Sequence, residues 1–211
     1  MNTYTTHSGQ VLDLNFIKPE NVSIEDIAHS LSFQCRFNGH TNRFYSVAEH
    51  SLVLRDLVRE ESGIQNLNRR IAAMLHDAAE CYLGDITKPA KEPLFIGEAV
   101  EGQILRVIFE AFGIPFSSFD EELKAMDSDL CIMEGFFLIG GMYWSRAYYD
   151  LVKRNPIFVS RVRDILAQHD GEMWKDPSHV ASFFGRALEE EWKNFSTICE
   201  PLEAPNVEPA E

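Results

Sequence analysis

The stretch RRIAAMLHDAAECYLGDITKP, residues 69–89, carries the most fold information in the chain. Ile71, Ala72, Leu75, Ala78, Ala79 and Tyr82 recur at helical spacing, so residues 69–83 read as an amphipathic helix. Gly84 ends it, and the turn GDITKP follows, with Pro89 as a breaker. His76-Asp77 lies on the apolar side, between Leu75 and Ala78. Ionisable groups placed there need partners inside the protein.

The flanking sequence is helical on both sides. Ser23 caps a helix, with Asp26 three residues on in the manner of a capping box, and Ile24, Ile27, Ala28 and Leu31 follow. Residues 35–46, CRFNGHTNRFYS, are polar and basic and read as a loop. Residues 47–60 form a helix whose face carries Val47, His50, Leu54, Leu57 and Val58. A third clear helix covers 97–112, closed by Gly113 and Pro115. Residues 119–149 read as one long helix, kinked at Gly140-Gly141. Pro156 interrupts, a helix resumes over 157–169, and Asp176-Pro177 opens a last one running to Trp192. No alternating strand pattern, repeat or glycine-rich phosphate loop occurs. The expected fold is therefore all-α: one helical bundle over 1–199 and an acidic, disordered tail over 200–211.

Bulk properties restrict the function. The chain has 211 residues, of which 45% are apolar, enough for one domain with a full core. Its formal charge of −14 opposes binding to nucleic-acid polymers and to anionic membranes. The N-terminus has no signal-peptide pattern, and the apolar stretch 131–144 is too short to span a bilayer. Cys35, Cys81, Cys131 and Cys199 form no C-x-x-C pair and read as reduced thiols, so a cytoplasmic location is expected.

Three helices each place ionisable residues among their apolar ones: His50, His76-Asp77 and Asp127. Asp127 lies four residues after Leu123 and three before Leu130. Asp129 is the alternative, but two residues turn a helix by about 200°, so both cannot face one site. Asp127 shares its face with Leu123, Leu130 and Glu134 and is the better choice. Two imidazoles and two carboxylates meeting in one interior are best explained by a cation, and mixed nitrogen and oxygen donors suit Mn, Co, Ni, Fe or Zn.

The segments RFYSVAEHS, AAMLHDAAECYLGDITKPAK and KAMDSDL resemble the HD-domain phosphohydrolases, over roughly residues 8–134. The nearest branch holds bacterial 5′-deoxynucleotidases and phage DatZ-type dNTP triphosphohydrolases. The resemblance implies an HD-domain bundle with one divalent transition metal on His50, His76, Asp77 and Asp127, or Mg where the substrate is a triphosphate. It also implies catalytic help from Glu80 and Asp85, substrate contacts from Arg36 and Phe37, and a homo-oligomer. Dinuclear HD enzymes need further histidines after the HD pair. None lies between His76 and His169 here, which favours one metal.

Glu80, one turn past the HD pair, can reach toward a bound water as base or relay. Asp85 reads equally as a proton donor and as a turn residue after Gly84. Phe37 reads equally as a stacking aromatic and as an anchor for its loop. His40 reads equally as a ligand contact and as a loop cap. Arg36 and Lys88 are the favoured phosphate cations, with Lys88 held extended before Pro89. Arg43 and Lys91 read at least as well as solvated surface. The expected activity is hydrolysis of a 2′-deoxynucleotide: dATP to deoxyadenosine and triphosphate first, a dNMP 5′-deoxynucleotidase second. A non-catalytic nucleotide-binding HD protein is a further alternative, and a structural helical protein with a buried polar network another.

Overall fold

A computed structural model describes residues 3–62, 66–91, 98–169 and 171–199. The fold is all-α, as expected, with one small addition. Strands β1 (Thr3–Thr5) and β2 (Val11–Asp13) pair as an antiparallel hairpin at the N-terminus. Six residues cannot show a period, so the sequence carried no strand signal.

Helix α1 (Ile24–Phe33) starts at Ser23, whose hydroxyl accepts from the Asp26 N–H, and it buries Ile27, Ala28 and Leu31. Asp26 does not cap back. Its carboxylate accepts from the Ser8 N–H at 2.6 Å and the Ser8 hydroxyl at 2.8 Å, which ties the hairpin to α1.

Helix α2 (Val47–Ser62) is central, packing against α1, α3, α7, α9 and α10. The sequence suggested one buried face, but residues 47–55 are all buried. Glu49 and Arg55 on this stretch have charged partners. The Arg43 guanidinium donates to both Glu49 oxygens, at 2.7 and 3.0 Å, and Arg55 pairs with Asp56 at 2.8 Å.

The predicted helix over 69–83 is two helices, α3 (Leu67–Leu75) and α4 (Glu80–Leu83). The backbone tightens between them. The N–H groups of Ala78, Glu80, Cys81 and Tyr82 each donate three residues back rather than four. His76 and Asp77 sit at this joint. The next element also differs from expectation. Lys88 is not extended but heads a helical turn, α5 (Lys88–Lys91). Proline is tolerated in a first helical turn because its missing N–H has no intrahelical partner there.

Helix α6 (Glu98–Ala111) follows; the expected start at Gly97 lies outside the described residues. The long helix over 119–149 is α7 (Glu121–Leu138) and α8 (Gly141–Arg154), separated rather than kinked. Gly140 and Gly141 both have positive φ, and the Gly140 N–H closes α7 by donating to the Gly135 carbonyl. Helices α9 (Pro156–Gln168) and α10 (Pro177–Cys199) complete the bundle, and α10 packs along α1. The tail over 200–211 lies outside the described residues. No described helix is long and apolar enough to cross a membrane.

Candidate metal centre

His50 comes from the first turn of α2, and the local sequence sets its depth. The Ser46 hydroxyl caps that turn by accepting the Glu49 N–H at 3.0 Å, and the Val47 N–H bonds to the Gln34 carbonyl. His76 comes from the tightened joint after α3, and Asp127 from the second turn of α7. His50 is fully buried and His76 is nearly so.

Their donor atoms converge. His50 Nε2 lies 3.2 Å from His76 Nε2 and 3.0 Å from Asp127 Oδ1. One atom from each of the three lies within 4.8 Å of the others. Asp77 Oδ2 is 3.2 Å from His76 Nε2 and 3.8 Å from His50 Nε2. A metal about 2.0–2.1 Å from two nitrogens in a tetrahedral shell separates them by about 3.3 Å, which matches the imidazole pair.

The imidazole tautomers fit the same use. His76 Nδ1 faces the Ala73 carbonyl at 2.8 Å, and a carbonyl can only accept, so the proton is on Nδ1. His50 Nδ1 faces Glu134 Oε1 at 2.6 Å. Both Nε2 atoms therefore turn toward the cluster, where each could bind a metal once its proton is displaced. A buried group of two nitrogens and a carboxylate oxygen could hold a metal ion.

Known proteins place the chain in a family without giving it an activity. No known family profile matches it. It is 36% identical over 161 residues to the uncharacterized protein RCAP_rcc00048 of Rhodobacter capsulatus, an alignment covering 72% of this chain and 80% of that protein. The chain belongs to the RCAP_rcc00048 family. It is also similar to the uncharacterized protein YfdR of Escherichia coli K12, at 38% identity over 115 residues, covering 54% of this chain and 61% of YfdR.

In this RCAP_rcc00048-family chain the electrostatics follow from burial and pairing. Burial would raise the Asp127 carboxyl, but hydrogen bonds from His50 and His76 outweigh it and hold the group well below its usual range. Burial likewise opposes a charged His76, and the Asp77 and Asp127 carboxylates overcome it, raising the imidazole well above its ordinary value. Glu80 is buried beside this charge. Burial first, then the Asp77 and Asp85 carboxylates, push it up to about 10. Glu80 Oε2 is buried without a hydrogen-bond partner among the described residues.

The other sequence candidates divide. Arg36 joins the cluster, with one Nη 3.2 Å from Asp77 Oδ2 and its Nε 3.3 Å from Glu134 Oε2. Burial raises the Asp85 carboxyl, which also lies close enough to feel the Arg36 guanidinium, which lowers it, and the Asp77 carboxylate, which raises it. Phe37 packs edge-on against Trp144 at 5.7 Å, which supports the anchoring reading, and it sits in the left-handed region with φ 56°. His40 is exposed, and its backbone N–H bonds to the Phe37 carbonyl. Arg43 is committed to Glu49, and Lys91 is paired with Glu101 at 2.5 Å. The Lys88 side chain lies outside the described residues. Asp129 faces away and pairs with Arg154.

Two residues at the site were not singled out for it from sequence. Glu134 touches His50, and its only signal was a carboxylate two turns after Asp127 in the apolar run CIMEGFF. Gln34 pins the turn holding Glu80 and Asp85. Its amide nitrogen donates to the Glu80 carbonyl at 3.0 Å and its oxygen accepts from the Asp85 N–H at 2.8 Å.

Proposed function

We propose that this chain is a metal-dependent phosphohydrolase of 2′-deoxynucleotides. The observation that carries the reading is the convergence of His50, His76 and Asp127, whose donor atoms lie within 4.8 Å of one another, with Asp77 Oδ2 3.2 Å from His76 Nε2. The HD-x-x-E and GDITKP motifs, resembling the HD phosphohydrolases, give the reaction class.

These four residues would hold a divalent ion, which would supply a bound water with its pKa lowered from 15.7 toward about 7 and would polarise a phosphoryl oxygen. The remaining work belongs to the chain. Arg36 binds a nonbridging phosphate oxygen and orients the α-phosphorus. Glu80 accepts the proton of the attacking water. Burial is the largest cause of the raised Glu80 carboxyl; the part due to Asp77 would be offset by a cation held there. The new oxygen–phosphorus bond forms as the bond from the α-phosphorus to O5′ breaks. Asp85 supplies a proton to O5′, releasing the deoxynucleoside.

The favoured substrate is a dNTP, dATP first, giving deoxynucleoside and triphosphate. The second reading is a 5′-deoxynucleotidase acting on dNMPs, which breaks the same bond. One observation favours it: Lys91 and Arg43 are engaged by Glu101 and Glu49, leaving Arg36 as the cation that touches the cluster among the described side chains. The charge of −14 supports a small-molecule substrate over a polymer. A homo-oligomer is also proposed, through the aromatic side of α8, where Met142 is 90% and Tyr143 76% exposed.

The test is a panel of dNTPs, dNMPs and ribonucleotides with Mn, Co or Mg, scored for released phosphate and triphosphate. Triphosphate from dATP supports the first reading, and phosphate from dAMP alone supports the second. No turnover of any deoxynucleotide with any metal would overturn both.

A further inference from the structure

We infer that Glu134 is a positioning residue: its Oε1 aims the His50 imidazole at the metal, and its Oε2 seats the Arg36 guanidinium. This rests on reading the His50, His76, Asp77 and Asp127 cluster as a metal centre.

Glu134 follows Asp127 by seven residues on α7, so the two share a helix face about two turns apart. They grip opposite edges of one ring. Asp127 Oδ1 is 3.0 Å from His50 Nε2, and Glu134 Oε1 is 2.6 Å from His50 Nδ1. A proton on Nδ1, donated to Glu134, leaves the Nε2 lone pair for a metal. A carboxylate behind a metal-bound imidazole both fixes the tautomer and raises its donor strength. The Tyr45 hydroxyl donates to the same Oε1 at 2.7 Å and restricts its swing.

The second oxygen has a different duty. Glu134 Oε2 makes no hydrogen bond within the described structure, but the Arg36 Nε lies 3.3 Å away. The other end of that guanidinium is 3.2 Å from Asp77 Oδ2. Arg36 is thus suspended between Glu134 and a candidate metal ligand, with its planar fork fixed at the cluster. Glu134 is fully buried, and burying a carboxylate is costly, so a purely space-filling role is better served by an apolar side chain. One rigid carboxylate joined to both the imidazole and the guanidinium keeps metal and phosphate in a fixed relation.

The experiment uses the full chain, stripped with chelator and titrated with Mn²⁺. The Mn²⁺-loaded protein is then titrated with inorganic phosphate. Wild type, Glu134→Gln, Glu134→Asp and Tyr45→Phe are compared, with thermal midpoints recorded for the metal-free proteins. Glu134→Gln is expected to weaken Mn²⁺ binding about 10–100-fold, the usual cost of losing such a partner, and to weaken phosphate binding as well. Tyr45→Phe, which removes one restraint on Glu134 Oε1, is expected to weaken Mn²⁺ binding less than Glu134→Gln does. Should Glu134→Gln fail to fold, Glu134→Asp gives the same readout, because it keeps the charge and withdraws the carboxylate by one methylene. A structural role alone would lower the thermal midpoint and leave both affinities unchanged. Wild-type Mn²⁺ affinity in the folded Glu134 variants would overturn the inference and leave the metal centre standing. No Mn²⁺ binding by the wild type would overturn the metal centre, and the inference with it.

Discussion

Asp127 and Asp129, two residues apart on α7, point to opposite sides of that helix. Asp127 Oδ1 lies 3.0 Å from His50 Nε2 in the interior, whereas Asp129 pairs with Arg154 on α8. The rotation of about 200° over two helical residues accounts for the separation.

Asp127→Asn is accordingly expected to weaken metal binding by at least the 10–100-fold typical of losing an outer-shell partner, and to lower turnover with it. Asp129→Asn is expected to leave both within about twofold, since an exposed ion pair contributes only about 0–1 kcal/mol. Parallel measurement of metal affinity and rate checks this, and equal losses in the two variants would contradict the placement of Asp127.

Glu80 is expected to matter for rate and not for metal retention. Glu80→Gln should keep the metal and lose about 10²–10⁴-fold in kcat, the usual contribution of a positioned proton-transfer group. A loss under about tenfold would return Glu80 to an ordinary helix residue.

The same residue gives the metal-free protein a pH dependence. Burial, with the charges of Asp77 and Asp85, raises the Glu80 carboxyl from 4.5 to about 10 in the folded chain. Between those values the folded state binds a proton that the unfolded state does not, so this group lowers stability progressively as pH rises. Glu80→Gln is therefore expected to melt higher than wild type at pH 8 without metal, and by a smaller margin at pH 5. Denaturation of both proteins at the two pH values checks the sign.

Metal uptake should release protons. Burial opposes a charged imidazole at His76, but Asp77 and Asp127 overcome it and raise the group above 6.5, so a metal must displace a proton to reach Nε2. Mn²⁺ affinity is expected to increase with pH through and above that value. Calorimetry in two buffers of different ionisation enthalpy counts the protons, and binding without proton release would contradict the assignment.

Gly135 is expected to be required for the α7–α8 contact. A Cβ there would lie 2.3 Å from the Trp144 ring, closer than any real contact. Gly135→Ala should destabilise by about 1–3 kcal/mol, typical of overpacking, read as a lower denaturation midpoint.

Much of the site was legible because its signals are local. His76-Asp77 stands out as a charged pair among apolar neighbours, and the periodicity of α7 selects Asp127 over Asp129. The remainder depends on contacts distant in sequence. Glu134 gains its role from His50, 84 residues away, which no helical spacing reveals. The joint at 76–79 contains no glycine or proline, so only the packed fold shows that its hydrogen bonds shorten to three residues. Arg43 and Lys91 look like free cations until Glu49 and Glu101 are found opposite them. The fold class was legible throughout, because helical periodicity needs only one segment at a time. The burial of residues 47–55 on all sides was not, because Glu49, Ser51 and Arg55 belong to no apolar face until their surroundings are seen.

The most direct test of the metal centre is an anomalous difference map from crystals of the full chain grown with Mn²⁺. One strong peak is expected among His50 Nε2, His76 Nε2, Asp77 and Asp127, at the two nitrogens' common bonding distance. A well-ordered cluster without a peak, or a peak held by other residues, would contradict it.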